Sequence, residues 1–369
     1  MRVLICGGGV IGTSIAYFLS RRGIECTVIE RTGIANAASG KSGGFLALDW
    51  CDGSPVEALA RRSFALHAEL AGRIDDEWGY RRLDTLGVVS SARRDVGFYR
   101  KLAAPEWLAG SAAVHARLGT AETTAQVDPA AFTGAMMRAA LTGGARLTIG
   151  TVSGVVQEAD GAVRGVVVDG QELTGDAVVI AMGPWSVLAS RWLPLPAIYG
   201  LKGHSLVFRY APEPVPHALF VELETGGGTI ASPEVMPRPD GTTYVCGLSS
   251  EQPLPVDPAA VVPDEGGCDR LRAMTAQFAP ALGGADVLAE QACYRPVVED
   301  GLPLIGAVPG APGAYVATAH SVWGMLNGPA TGEAVAELIA EGEARTVDLA
   351  PFDPARLAPL AAGAVRVEV

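Results

Sequence analysis

Gly7, Gly9 and Gly12 stand at the spacing G-x-G-x-x-G, in the run Gly7-Gly8-Gly9-Val10-Ile11-Gly12. The chemistry open to such a run is the binding of a pyrophosphate. The first glycine permits a tight strand-to-helix turn, the second lets the backbone approach a phosphate, and the third lets the helix lie close to the sheet. The N-terminus of that helix offers free N–H groups and a partial positive charge. Glu30 follows 18 residues after Gly12, at the end of the apolar run Cys26-Thr27-Val28-Ile29, where a carboxylate accepts hydrogen bonds from ribose hydroxyls. The same carboxylate would repel the 2′-phosphate of NADP. On these residues alone NAD and FAD both remain open.

Two later segments carry further chemistry. Ala37-Ala38-Ser39-Gly40-Lys41-Ser42-Gly43-Gly44-Phe45 is a run of small residues with hydroxyls and one cation. It lacks the GxxxxGK[ST] spacing of a nucleotide-phosphate loop, and small residues with donors suit a stretch passing tightly over a flat cofactor. Arg295 precedes Pro296 in Gln291–Gly306, and Gly324-Met325-Leu326-Asn327-Gly328-Pro329-Ala330-Thr331-Gly332 reads as a Gly-rich loop feeding a helix predicted over 332–341. An arginine before a rigid turn can hold a carboxylate in a bidentate pair.

The whole chain resembles the D-amino-acid oxidase superfamily of FAD-dependent oxidoreductases, in particular its glycine oxidase and sarcosine oxidase branch. Arg295–Gly306 matches R-P-x-x-x-D-G-x-P-x-I-G, Gly324–Gly332 matches G-x-x-x-x-P-A-T-G, and Val178–Ser186 is similar to V-V-x-A-x-G-x-W-S. The resemblance implies FAD. Its binding residues would be Gly7, Gly9, Val10, Ile11, Gly12, Glu30, Arg31, Ser39, Gly40, Lys41, Ser42, Gly43, Gly44, Val152, Ala181, Gly183, Trp185, Cys293, Trp323, Gly324, Met325 and Leu326. A helix N-terminus near Gly332, aimed at the N1–C2=O edge of the flavin, would stabilise the anion that forms on reduction. Arg295 matches the arginine that holds a substrate carboxylate. Cys293 falls where sarcosine oxidase links its flavin, so a thioether is implied as a hypothesis. Phe45, Trp50, Tyr244 and Trp323 are candidate substrate contacts, and Lys202 and His204 candidates for assisting oxygen or substrate. Val322 departs from the pattern: it stands where glycine oxidase has a second arginine, which points away from a small glycine-like substrate.

The elements that position these residues are written in alternating pieces. The resemblance implies an α/β FAD-binding Rossmann-like domain of glutathione-reductase type with a second, antiparallel-sheet α+β substrate domain. Residues 1–50, 120–196 and 291–345 are assigned to the first, 51–119 and 197–290 to the second, and 346–369 to a tail. Helices are predicted over 56–78, over Ala130–Leu141 behind an Asp128-Pro129 cap, and over parts of 257–280. Strands are predicted over 146–156, 162–168 and 177–181, with hairpin turns at Asp160-Gly161 and Asp169-Gly170. More strands are predicted around 203–209, 218–222, 229–236 and 242–248, and short ones from 291. The stretch 81–119 reads as mixed, and His67 as a packed or exposed residue.

A net charge of −12 disfavours nucleic acid and anionic membrane surfaces as partners, and no apolar run approaches the roughly 18 residues that span a bilayer. The strand Val3–Cys6 leaves no room for a secretory leader, and the six scattered cysteines form no CxxC pair. Together these point to a cytoplasmic chain without a metal site. The expected activity is hydride transfer from the carbon next to nitrogen of an amino acid or secondary amine to flavin N5, with O2 reoxidation to H2O2. The alternatives are an FAD-dependent dehydrogenase of a 2-hydroxy acid or amine using a quinone or protein acceptor, and a non-catalytic flavin-binding protein. Oligomeric state stays open.

Overall fold

The computed structural model describes residues 1–212, 217–225 and 229–365. Residues 366–369 of the expected tail lie outside the described residues. Two large sheets dominate. The first has six strands in the order Leu304–Ala307, Ala314–Thr318, Ala177–Ile180, Arg2–Cys6, Glu25–Glu30, Arg146–Ile149. Its first strand pairs antiparallel and the other neighbours are parallel. The central strands are unbroken apolar runs because both faces are covered. On one face lie α1 (Val10–Arg21), α2 (Glu57–Arg73) and α3 (Pro129–Thr142), whose Ile15, Leu19, Leu59, Phe64, Phe132 and Met136 share one core. On the other lies a three-stranded antiparallel sheet, Val152–Gln157, Val163–Val168 and Gln171–Thr174. Its hairpin turn has φ of 49° at Asp169 and 79° at Gly170, the geometry in which an Asp-Gly pair joins two strands.

The second large sheet runs Val287–Val297, Tyr199–Phe208, Thr243–Ser250, Glu234–Pro237, Ala218–Glu224, Thr85–Ser91, Ala112–Gly119. Ile230–Ala231 adds to the strand Ala218–Glu224. All neighbours are antiparallel except Ala218–Glu224 with Thr85–Ser91, which are parallel. α4 (Gly267–Phe278) and the single turn α5 (Pro280–Gly283) pack Leu271, Phe278 and Leu282 against Leu206, Phe208 and Val245 of this sheet. Phe45–Ala47, Thr124–Gln126 and Arg81–Arg82 form a small sheet of their own.

Several sequence expectations need correction. The predicted strand 146–156 is two strands in different sheets, parted at Gly150-Thr151. The helix predicted over 56–78 ends at Arg73. The mixed stretch 81–119 supplies two strands of the second sheet. The region expected to hold short strands from 291 opens inside one 11-residue strand, Val287–Val297, and the short strands Leu304–Ala307 and Ala314–Thr318 follow it. The Asp128 cap holds, its carboxylate accepting the Ala131 N–H at 2.8 Å.

The largest correction concerns the last helix. α6 spans Gly324–Glu341, so the segment read as a Gly-rich loop is helical and the helix begins eight residues before Gly332. Pro329 lies inside this helix, where a proline withholds the N–H owed to the residue four back, here Met325. The structure splices the gap with α2. His67 Nε2 lies 3.0 Å from the Met325 carbonyl and 3.3 Å from that of Leu326, and Ser63 Oγ takes the Ala330 N–H at 3.0 Å. A Cβ on Gly332 would sit 2.6 Å from the backbone of Ser14, so a glycine there lets α6 cross α1.

Candidate active site

A cavity of about 720 Å³ opens between the two sheets, from the Gly-rich turn to the strand of Arg295. At the turn, Gly7 has φ 115°, and a Cβ on it would lie 2.3 Å from the Ala181 carbonyl oxygen. A Cβ on Gly12 would lie 2.0 Å from the Gly7 oxygen. Gly7, Gly9, Val10 and Ile11 line the cavity, whereas Gly12 acts from behind. The first turn of α1 carries no acidic residue, so its unpaired amides face the cavity with their positive end. Ser39 Oγ accepts the Val10 N–H at 2.9 Å. Glu30 accepts from Gly8 N at 2.7 Å and from Thr32 N at 2.9 Å, and so fixes the turn as well as facing the cavity.

The walls of this end come from three segments. Val152, Ala181, Gly183 and Trp185 line one side, as do Ser42 and Gly43 of the small-residue loop. Arg31 donates to the Val256 carbonyl at 3.0 Å and Trp185 Nε1 to Pro255 O at 2.8 Å, which ties a strap of residues over the cavity. Gly40, Lys41 and Gly44 sit behind the wall. A Cβ on Gly40 would meet Ala35 O at 2.0 Å, and the Lys41 carbonyl accepts the Tyr244 hydroxyl at 3.0 Å.

The far wall is one face of the antiparallel sheet. Residues directly opposite in neighbouring strands share a face. Cys293 pairs with Gly203, Gly203 with Ser249, Cys246 with Glu234, and Glu234 with Phe220. An irregularity between His204 and Ser205 lets Cys246 and Ser249 share that face although they are three residues apart, as bulges do. Arg295 lies two residues past Cys293 and donates to Ser249 Oγ. Among the described residues Arg295 forms no ion pair. Burial pushes the Cys293 thiol up, opposed by Arg295 and Lys41. Burial also pushes the Glu234 carboxyl up, against a Cys246 hydrogen bond and the Arg295 charge.

Lys202 belongs to the other face. Its ammonium is buried and 2.5 Å from Asp264 Oδ1, away from the cavity lining. His204 touches the cavity, but its ring turns toward α4: Nε2 accepts the Asp264 N–H at 3.0 Å, which leaves Nδ1–H for the Leu248 carbonyl at 3.3 Å. Lys202, His204, Ser250 and Asp264 therefore brace the sheet from behind.

At the third side, α6 points its N-terminus into the cavity through Gly324 and Met325, with no acidic residue in its first turn. Leu326 is fully buried in the core and meets no cavity. Ala319 and Ser321 hold φ of 63° and 51°, a conformation costly for residues with a Cβ, and between them His320 turns inward. Burial pushes His320 down to about 3, and its Nε2 lies 3.0 Å from Thr331 Oγ1. Phe45, Trp50 and Trp323 come together with Phe220, Trp50 and Phe220 having ring centroids 4.7 Å apart and Trp50 and Trp323 6.4 Å apart.

Glu234, Cys246, Ser249, Phe220 and His320 escaped the sequence reading. The one signal for Glu234 was a charge at the head of the buried run Val235-Met236-Pro237. Among the described residues no group of His, Cys, Asp and Glu could hold a metal, and no helix is long and apolar enough to cross a membrane.

A Gly cradle closed to any side chain, free helix amides, the Glu30 carboxylate at the cavity and a long cavity fit FAD, and the geometry is that of a dinucleotide-binding protein whose second wall carries Arg295. The model of the DAO family, FAD dependent oxidoreductase, matches residues 2–338, and the chain belongs to that family. An oxidoreductase of Schizosaccharomyces pombe is 32% identical over 95% of this chain and 97% of its own. A glycine oxidase of Geobacillus kaustophilus is 30% identical over 96% of both chains. The crystal structure of glycine oxidase from that organism superposes with a TM-score of 0.76 at 25% identity, over 95% of this chain and 98% of the other.

Proposed function

We propose that the chain is an oxidase of a primary or secondary amine that carries a carboxylate, with O2 as electron acceptor and H2O2 as product. The observation that carries the reading is Arg295: a guanidinium on the cavity wall, held by Ser249 and without a carboxylate partner among the described residues. A ligand carboxylate satisfies it in a bidentate pair and fixes the neighbouring carbon. When bound, FAD would supply the two-electron acceptor, with O2 as the final oxidant. The N-terminus of α6 places a positive dipole end at the same region of the cavity, which favours negative charge there. The aromatic group Phe45, Trp50, Phe220 and Trp323 beside the site, with the exposed Val322, supports a substrate bulkier than glycine. Six free cysteines support a reducing, cytoplasmic setting.

A substrate screen with coupled peroxide detection tests the activity. Turnover with an artificial acceptor but no peroxide would move the reading to a dehydrogenase. Arg295→Met should raise KM for the amine by about 100-fold, the loss of two charge-assisted hydrogen bonds, and leave bound flavin intact. Loss of flavin with KM unchanged refutes the carboxylate role. Cys293 lines the cavity beside Arg295, and that place favours a thioether from Cys293 to the flavin as a second reading. Acid-denatured protein should then keep its yellow colour and Cys293→Ser release it.

A further inference from the structure

Glu234 is a charged side chain of the cavity wall to which the proposed activity assigns no task. It heads the strand Glu234–Pro237 and lies opposite Cys246 on one side and Phe220 on the other. Its one hydrogen bond is weak, from Cys246 Sγ to Oε2 at 3.7 Å. Among the described residues it forms no ion pair, although Arg295 is near enough for its charge to act on the carboxyl. Both groups line the same cavity. A cation and an anion thus share one wall, each within the other's field and neither in contact with the other. This half-buried carboxylate faces the cavity without an N–H donor, and a ligand that carries one would satisfy it.

We propose that Glu234 receives the nitrogen of the substrate, so that the site takes an amino acid or N-substituted amino acid stretched between Arg295 and Glu234. The inference rests on Arg295 binding the carboxylate. It assigns the residue that recognises the nitrogen of that substrate: a carboxylate held by Arg295 and an N–H held by Glu234, on one small carbon frame. A 2-hydroxy acid offers Glu234 a single neutral O–H, and a plain carboxylate offers nothing. A dicarboxylate of the same length would set a second anion against Glu234 and be repelled. Selectivity for amines over hydroxy acids then lies in Glu234 rather than in Arg295, which treats both alike.

The test uses the FAD-loaded protein and two ligands without a hydrogen on the carbon next to the carboxylate, 2-aminoisobutyrate and 2-hydroxyisobutyrate. Neither can give up a hydride, so each is titrated at equilibrium by its effect on the flavin spectrum. The wild type should bind the amino ligand at least about tenfold more tightly than the hydroxy ligand, since the ammonium brings a positive charge to the carboxylate that a neutral O–H does not. Glu234→Gln should abolish that preference while binding 2-hydroxyisobutyrate as the wild type does, with unchanged flavin content as the check on folding. Arg295→Met should weaken both ligands equally. A preference retained in Glu234→Gln overturns the role of Glu234 and leaves the carboxylate reading standing. Arg295→Met binding both ligands like the wild type overturns the carboxylate reading instead. Binding of neither ligand by the wild type overturns both.

Discussion

Replacing His67 by Gln should make the protein less sensitive to acid. The His67 ring is fully buried against Phe132, at a centroid distance of 4.7 Å, and donates through Nε2 to carbonyls that Pro329 leaves without a helical partner. Its Nδ1 has no hydrogen-bond partner, so protonation would place an uncompensated charge in the core. Burial accordingly pushes the group down to about 4, against an ordinary value near 6.5. The unfolded chain therefore takes up a proton before the folded one does. Stability is lost as pH falls from about 6.5 toward about 4, and the loss levels off below that. Going from pH 7 to pH 5 removes about 2 kcal/mol, and the full difference approaches about 3 kcal/mol. A glutamine amide can donate to the same carbonyls and does not titrate. His67→Gln should cost about 1 kcal/mol at pH 7 through the lost ring contact, yet remove the 2 kcal/mol decline between pH 7 and pH 5. Urea unfolding of the FAD-loaded protein, followed by tryptophan fluorescence at both pH values, measures this. A decline in the variant equal to that of the wild type refutes the reasoning.

Three further outcomes follow from the geometry. Glu30→Ala should weaken FAD binding by roughly 10- to 100-fold, read by flavin release on dilution, because the turn at Gly8 loses its acceptor along with the ribose contact. Gly332→Val should destabilise by about 3 kcal/mol in thermal unfolding, since the added carbons meet the Ser14 backbone, which cannot rotate aside. Asp264→Asn should lower stability by about 2 kcal/mol by stranding the buried Lys202 ammonium, with the wild-type flavin spectrum preserved if the cluster braces the sheet from behind.

Legibility from sequence followed distance along the chain. Gly7, Gly9, Gly12 and Glu30 could be read because strand, turn, helix and strand follow one another without interruption, so spacing alone positions them. The alternation of faces in the antiparallel sheet is just as regular, yet which strand lies beside which is set by tertiary pairing. Glu234, Cys246, Ser249 and Arg295 come from three strands and no local pattern could unite them. Lys202 and His204 are site candidates through the family resemblance, but a period of two turns both away from the face that Gly203 presents. Pro329 taken locally argues against a helix. The side chains that overrule it, Ser63 and His67, lie more than 250 residues earlier in the chain.

The parallel pairing of Thr85–Ser91 with Ala218–Glu224 bears on how the chain reaches this state. Between those two strands runs the segment that supplies α3 and the strands Arg146–Ile149 and Ala177–Ile180 of the other sheet. The ligand-facing sheet cannot be completed until this intervening chain has been gathered in, and contacts of such long range form slowly. Neither sheet is contributed by a continuous stretch, so a cut near residue 200 would sever both at once. Cofactor binding at the Gly-rich turn would then steady the substrate wall as well, through mass action on one cooperative fold.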